Sequence, residues 1–232
     1  MDPGLIKELT GLALLFAAWG LIYAIRHLLE KRRSAALEIV AQQMGFLYLS
    51  EGQPFQPGPV PRASLFSRGR KPRFRNLLTG YTANRQVTIF DYQFVIGRGK
   101  NTYTMKQTVA AYRLPHAVAN FEVSPASAWA KLSKWFGGKD IRFPENPQFS
   151  KRFRLRGPDE PAVRKTFGPA VQSYFEAQPE SKQSVQTSGG WLIVFQEGHR
   201  VPPPGITNFL AESSRLASGL ADILIQSRVT TT

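Results

Sequence analysis

The amino-acid sequence predicts an α+β protein: an N-terminal transmembrane helix followed by an antiparallel-sheet domain partly covered by helices. Three observations carry this reading. No residue is charged from Leu9 to Ile25. Between Arg75 and Leu114, three stretches rich in Val, Ile, Thr, Phe and Tyr are separated by turn residues. Beyond Leu114, strand and helix signals mix without the regular βαβ alternation of a parallel sheet.

The apolar run is the anchor. Leu9, Leu12, Leu15, Phe16, Trp19, Leu21, Ile22 and Ile25 are its membrane-spanning side chains. At about 1.5 Å per residue the run falls a little short of the roughly 30 Å hydrocarbon core. Leu5, Ile6, Leu28 and Leu29 extend it, and Lys7 and Arg26 can reach the headgroups. Its large apolar residues contribute about −0.3 to −0.6 kcal/mol each toward insertion. A cleaved signal peptide would carry its basic residues before the run and a small-residue site after it. Here Arg26, Lys31, Arg32 and Arg33 follow the run instead. The pattern therefore reads as an uncleaved, single-pass anchor over 1–29, with a basic α+β domain over 30–232. The same asymmetry predicts the N-terminus outside and the domain in the cytoplasm. Ala13, Ala17, Gly20 and Ala24 form a small-residue stripe that permits a homodimer.

The soluble part follows in order. Leu37, Val40, Ala41 and Met44 continue the helix, Gly45 caps it, and a short strand covers Phe46–Leu49. Pro54, Pro57, Pro59 and Pro61, then Arg62, Arg68, Arg70 and Lys71, predict a Pro/Arg-rich loop over 51–74. Strands are expected at Asn76–Tyr81, Gln86–Val95 and Thr102–Arg113, turning at Ala83–Asn84 and Gly97–Asn101. Val87, Ile89, Asp91 and Gln93 alternate with Thr88, Phe90, Tyr92 and Phe94, so one face is mostly aromatic. Ser124 and Pro125 predict a helix start, with Trp129, Leu132, Trp135 and Phe136 on its face and Gly137–Gly138 as its stop. Short strands are read at Ile141–Phe143 and Arg152–Leu155, and helical turns at Asp159–Pro161 and after Gly168–Pro169. Ser188-Gly189-Gly190 joins a hairpin of Ser184–Thr187 and Trp191–Gln196. A last helix over Thr207–Gln226 carries a stripe of Phe209, Leu210, Leu216, Leu220, Ile223 and Leu224. Glu212, Arg215 and Asp222 interrupt it, so it is core packing and not a second span.

Asn76-Leu77-Leu78-Thr79-Gly80, Val87-Thr88-Ile89-Phe90-Asp91-Tyr92, Leu114-Pro115, Pro147-Gln148-Phe149-Ser150, Leu155-Arg156-Gly157-Pro158-Asp159-Glu160 and Val163-Arg164 together resemble a family of uncharacterised bacterial single-span membrane proteins. The resemblance covers most of the chain after Phe46. It implies an anchored soluble domain at a bacterial plasma (inner) membrane and carries no catalytic residues with it.

Composition narrows the chemistry. Among 232 residues there is no cysteine, which excludes disulfides, thiolate metal sites and cysteine nucleophiles. The formal net charge of +14 favours anionic partners. Gly97-Arg98-Gly99-Lys100-Asn101-Thr102 lacks the leading glycine of a phosphate loop and the Ser or Thr after its lysine, so it reads as a hairpin turn. Arg68-Gly69-Arg70-Lys71-Pro72 is similar to a minor-groove arm, but beside an anchor Arg62, Arg68, Arg70 and Lys71 are better read as facing anionic lipid. A second basic region, from Lys131 to Arg156, is interleaved with aromatics in the manner of a nucleic-acid platform; a solvated face over a core explains it as well. Asp91 stands among aromatics on an interior strand, with Arg75 or Arg113 as its expected salt-bridge partner. His27, His116 and His199 lack metal spacing.

The sequence thus predicts no catalytic, cofactor or metal residues. It predicts a non-enzymatic domain that meets the lipid bilayer and binds anionic lipid headgroups or an acidic protein. A membrane-associated enzyme and a tethered nucleic-acid binder are the alternatives; nucleic acid is not expected.

Overall fold

The computed structural model describes residues 3–56, 58, 60–82, 84–127, 139–178 and 182–229, with side chains described from Thr10 to Leu224. The residues expected to form a helix from Trp129 to Phe136, its Gly137–Gly138 stop, Lys131, Lys134, Ala83, Pro57 and Pro59 lie outside the described residues.

Helix α1 (Pro3–Gln43) is unbroken. Leu12, Leu15, Phe16, Trp19, Leu21, Ile22 and Ile25 are each about half exposed or more. Its apolar window has none of its residues buried inside the protein. A core helix of such hydropathy would be covered by its neighbours. This segment is covered by nothing, and it is long and apolar enough to cross a membrane. Leu9 lies on the same helix.

The domain is one antiparallel sheet with helices on one face and a proline-rich cover on the other. Its strands are β1 (Leu47–Glu51), β2 (Arg70–Thr82), β3 (Arg85–Ile96), β4 (Tyr103–Arg113), β5 (Phe121–Pro125), β6 (Phe153–Arg156), β7 (Ser184–Ser188) and β8 (Trp191–Phe195), in the order β1-β2-β3-β4-β8-β7-β5-β6. The three strands expected from Arg75 to Leu114 are its middle; the later strands complete it through β4–β8 pairing.

The alternation of β3 separates two cores. Val87 and Ile89 face the helices: the end of α1 (Leu37, Ala41), α3 (Pro147–Arg152), α4 (Glu160–Thr166), α5 (Pro169–Glu176) and α6 (Ile206–Val229). Phe90, Tyr92 and Phe94 face the other way, under Phe55, Phe66 and Trp191. Phe55 meets Phe66, Phe90 and Trp191 edge-on with ring centroids 5.2, 5.8 and 5.3 Å away. Asn146 and Asp159 cap α3 and α4 by accepting from Phe149 N and Ala162 N. On α6, Phe209, Leu216, Leu220 and Leu224 are buried and Leu210 and Ile223 partly so, as the stripe predicts.

Three local expectations change. The 51–74 loop contains a short helix, α2 (Ser64–Ser67), and ends at Arg70, where β2 begins; an aromatic sheet face needs a cover, and Phe55, Leu65 and Phe66 provide it. Ser124 and Pro125 also close β5, paired with Arg154 and Phe153; helix begins directly after them, at Ala126 and Ser127, the last described residues before 139. Ile141–Phe143 makes only a single bridge, Ile141 to Leu155.

The direction of α1 against the sheet positions everything that follows. Glu30 bonds Lys106, which pairs with Gln93; Arg33 bonds Asp91; Phe46, just past the helix, packs on Gly80, which pairs with Val87. Moving back along α1 toward the apolar segment therefore means moving forward along β3 toward Ile96. The β3–β4 hairpin and the start of β2 form the end of the sheet nearest the apolar segment.

Candidate functional site

The most connected polar cluster joins α1 to the sheet. Asp91 on β3 accepts from Arg33 Nε and Nη2, both at 2.8 Å, from Arg200 Nη2 at 2.9 Å, from Asn76 Nδ2 at 2.9 Å and from Thr108 Oγ1 at 3.2 Å. Glu30 accepts from Arg200 at 2.8 and 2.6 Å and from Lys106 at 2.7 Å. Asn76 Oδ1 accepts from Ser34 and from Tyr48, each at 2.8 Å. Asn76 sits at φ 51°, where the β2–β3 register shifts between Arg75 and Leu78. A bulge re-aims a side chain, and asparagine tolerates the left-handed backbone it needs. Thr108 also accepts from Val201 N at 2.9 Å, which holds the Arg200 segment in place.

The electrostatics suit a clamp. Burial pushes the Asp91 carboxyl up, but the hydrogen bond from Arg33 and the charge of Arg200 outweigh it and hold the group below its ordinary value. The Arg200 hydrogen bond, helped by Lys106, takes Glu30 down to about 2. A general base works best with a pKa near the operating pH and a free lone pair; Asp91 has neither. Its expected partners are corrected: Arg75 turns to Glu51 on β1 at 2.9 Å, and Arg113 lies over the Trp191 ring at 5.2 Å.

A second buried cluster lies on the opposite face. Arg68, 6% exposed, donates to both Glu122 and Glu197, and Ser64 also donates to Glu122. Burial raises the Glu197 carboxyl above its ordinary value despite Arg68. Arg68 is therefore not lipid-facing: two carboxylates hold it inside. Arg33 leaves the expected membrane flank for the same reason.

The other predicted cations stay outside. Arg26, Lys31, Arg32, Arg62, Arg70 and Lys71 are exposed, and no carboxylate pairs with them among the described residues. Arg73, Arg98 and Lys100 join them, so that Arg70, Lys71, Arg73, Arg98 and Lys100 crowd the end of the sheet nearest the apolar segment. A cleft of about 600 Å³ opens there, between the start of β2 and the β3–β4 hairpin. The small-residue stripe Ala13, Ala17, Gly20 and Ala24 runs along the exposed part of α1. In the second basic region, Arg154 and Arg156 pair with Asp140, and Phe143, Phe149 and Phe153 are core residues with no face left for stacking on a base. Among the described residues no group of three or more His, Asp or Glu could hold a metal ion.

Sequence reasoning passed over Glu30 and Arg200. The signal for Glu30 was its sign: a lone acid within the basic stretch from Arg26 to Arg33. Arg200 lies in a loop and offered no signal.

No family model matches the chain, and no curated protein matches it. Among solved structures the chain is similar to the crystal structure of the mycobacterial trehalose monomycolate transport factor A, TtfA, with a TM-score of 0.50 and 14% identity over 82% of this chain and 93% of that one; the likeness is one of fold.

Proposed function

We propose that this chain is a single-pass protein of a bacterial inner membrane whose basic domain is held rigidly on its anchor and engages an anionic leaflet, acting as a binding factor and not as a catalyst. The observation that carries the reading is the rim of unpaired cations at the membrane-proximal end: Arg70, Lys71, Arg73, Arg98 and Lys100 beside Arg26, Lys31 and Arg32. Each Lys or Arg close to an anionic surface contributes about 1 kcal/mol. The basic flank after the apolar segment supports an outside N-terminus and a cytoplasmic domain. The clamp of Glu30, Arg33, Asp91 and Arg200 supports rigid presentation, because it leaves no free joint between helix and sheet.

The fold likeness to a protein named as a trehalose monomycolate transport factor is in keeping with a service role in transport. An acidic partner protein could use the same rim. The test is vesicle flotation of the Arg26–Thr232 fragment, which keeps the clamp. Binding to anionic vesicles that weakens with salt is expected; equal binding to neutral vesicles would sink the proposal.

A further inference from the structure

We propose that the cleft between the start of β2 and the β3–β4 hairpin is a binding site for a phosphoryl anion, supplied by the headgroup of an anionic phospholipid in the leaflet that anchors α1. The inference rests on the reading that this end of the domain faces an anionic leaflet, and it names the site and the ligand.

Two unpaired guanidiniums and an amide flank the cleft: Arg70, Arg98 and Asn101. Among the described residues no carboxylate lines it. Several arginines elsewhere in the domain are paired with acids, Arg85 with Asp222, Arg164 with Glu160, and Arg154 and Arg156 both with Asp140. Arg85 makes the contrast plain, because it stands at the opposite end of the same β2–β3 pair, where Thr82 meets Arg85. Guanidinium groups bind phosphate oxygens in a planar, bidentate fork, and two left without acids beside one cleft match a phosphate diester.

The backbone builds the cleft. Gly69 has φ +67°, and a Cβ there would lie 2.4 Å from Val95 O. Gly97 has φ +83°, and a Cβ there would lie 1.8 Å from Asn101 O. Only glycine allows both close approaches. The hairpin is closed by Asn101 N on Arg98 O at 3.2 Å and by Thr102 Oγ1 on Gly99 O at 2.8 Å. The phosphate-loop likeness of Gly97–Thr102 failed because a strand follows it, not a helix; the anion chemistry here comes from Arg70 and Arg98 instead.

Height matches as well. From Gln93 to Arg98 the strand rises about 15 Å, at about 3.3 Å per residue. About ten helix residues cover the same rise. Counted back from Glu30 with the axes aligned, ten residues reach Gly20, five residues inside the end of the apolar run, and a tilt of the helix against the strands moves the hairpin tip toward Arg26. This is where the apolar run ends and headgroups begin. Tyr23 and Tyr103, 74% and 56% exposed, stand on the two elements that meet this level, and an amphipathic ring is at home there.

The test uses the full chain in nanodiscs of phosphatidylcholine mixed with phosphatidylglycerol, with retained lipid counted by native mass spectrometry after gentle release. The wild-type chain is expected to retain phosphatidylglycerol over phosphatidylcholine, and the double substitution Arg70→Gln/Arg98→Gln to cut that preference about tenfold, with Arg85→Gln, at the opposite end of the β2–β3 pair, leaving it unchanged. A parallel arm adds inorganic phosphate to the chain in phosphatidylcholine discs. Phosphate retention without phosphatidylglycerol preference would overturn the lipid source. An anionic preference that persists in the double variant would overturn the cleft and leave the leaflet reading standing. A wild-type chain with no anionic preference would remove both.

Discussion

Asp91 and Arg68 show how one charge is settled differently on the two faces of the same sheet. Asp91 is an anion served by two arginines, Asn76 and Thr108. Removing one member of a buried pair typically costs about 3–5 kcal/mol, because the other is left uncompensated. Asp91→Ala should lose stability on that scale in chemical denaturation, and Asp91→Asn, which keeps the volume and some hydrogen bonds, should lose less. Arg68 is the reverse case, a cation serving Glu122 and Glu197. Arg68→Ala should destabilise by a similar amount. Because burial already raises the Glu197 carboxyl, adding Glu197→Gln to that variant should restore part of the loss, as read by the denaturation midpoint. Glu30 sets a pH dependence. Its folded pKa lies at about 2 against an ordinary 4.5, so the folded state binds this proton less readily than the unfolded one. Its stabilisation is full above about pH 4.5 and disappears as pH falls through about 2. Thermal melts should lose stability across that window, and Glu30→Gln should flatten the slope there.

Among the elements, the turn from α1 into β1 packs closely on β2. A Cβ on Gly80 of β2 would lie 2.3 Å from the Phe46 ring, which is part of the helix-side core. Gly80→Ala must push that ring away, and overpacking of this kind costs about 1–3 kcal/mol. The melting temperature should fall, and protease sensitivity should rise at the end of α1 rather than in β7 or β8. The proline-rich segment has a matching role on the other face. Phe55, fully buried among Phe66, Phe90 and Trp191, closes the aromatic core, so Phe55→Ala should cost about 3–5 kcal/mol by equilibrium unfolding even though it lies in a loop.

For the whole molecule, the apolar part of α1 and the clamp turn a membrane helix into a handle for the sheet. A reporter fused at Thr232 and active on only one side of the membrane checks the topology. A cytoplasmic signal is expected, and an external one would move the basic rim to the outer leaflet. The anchor, the three central strands with their aromatic face, the β7–β8 hairpin and the stripe of α6 were legible in the sequence because each is a local period or a turn signal. The strand over Phe121–Pro125 was not, because Ser-Pro has the local chemistry of a helix start and only its pairing with β6 and β7 makes it a strand. The same limit applied to the charges. Sequence alone determined how many cations the chain carries and that a basic stretch follows the apolar run. It could not tell Arg68 and Arg33, which bond acids 54 and 58 positions away, from Arg70 and Lys71, which bond none. Tertiary structure decided that, since whether a guanidinium is buried and paired or left to meet an anion depends on which distant carboxylate the fold brings within 3 Å.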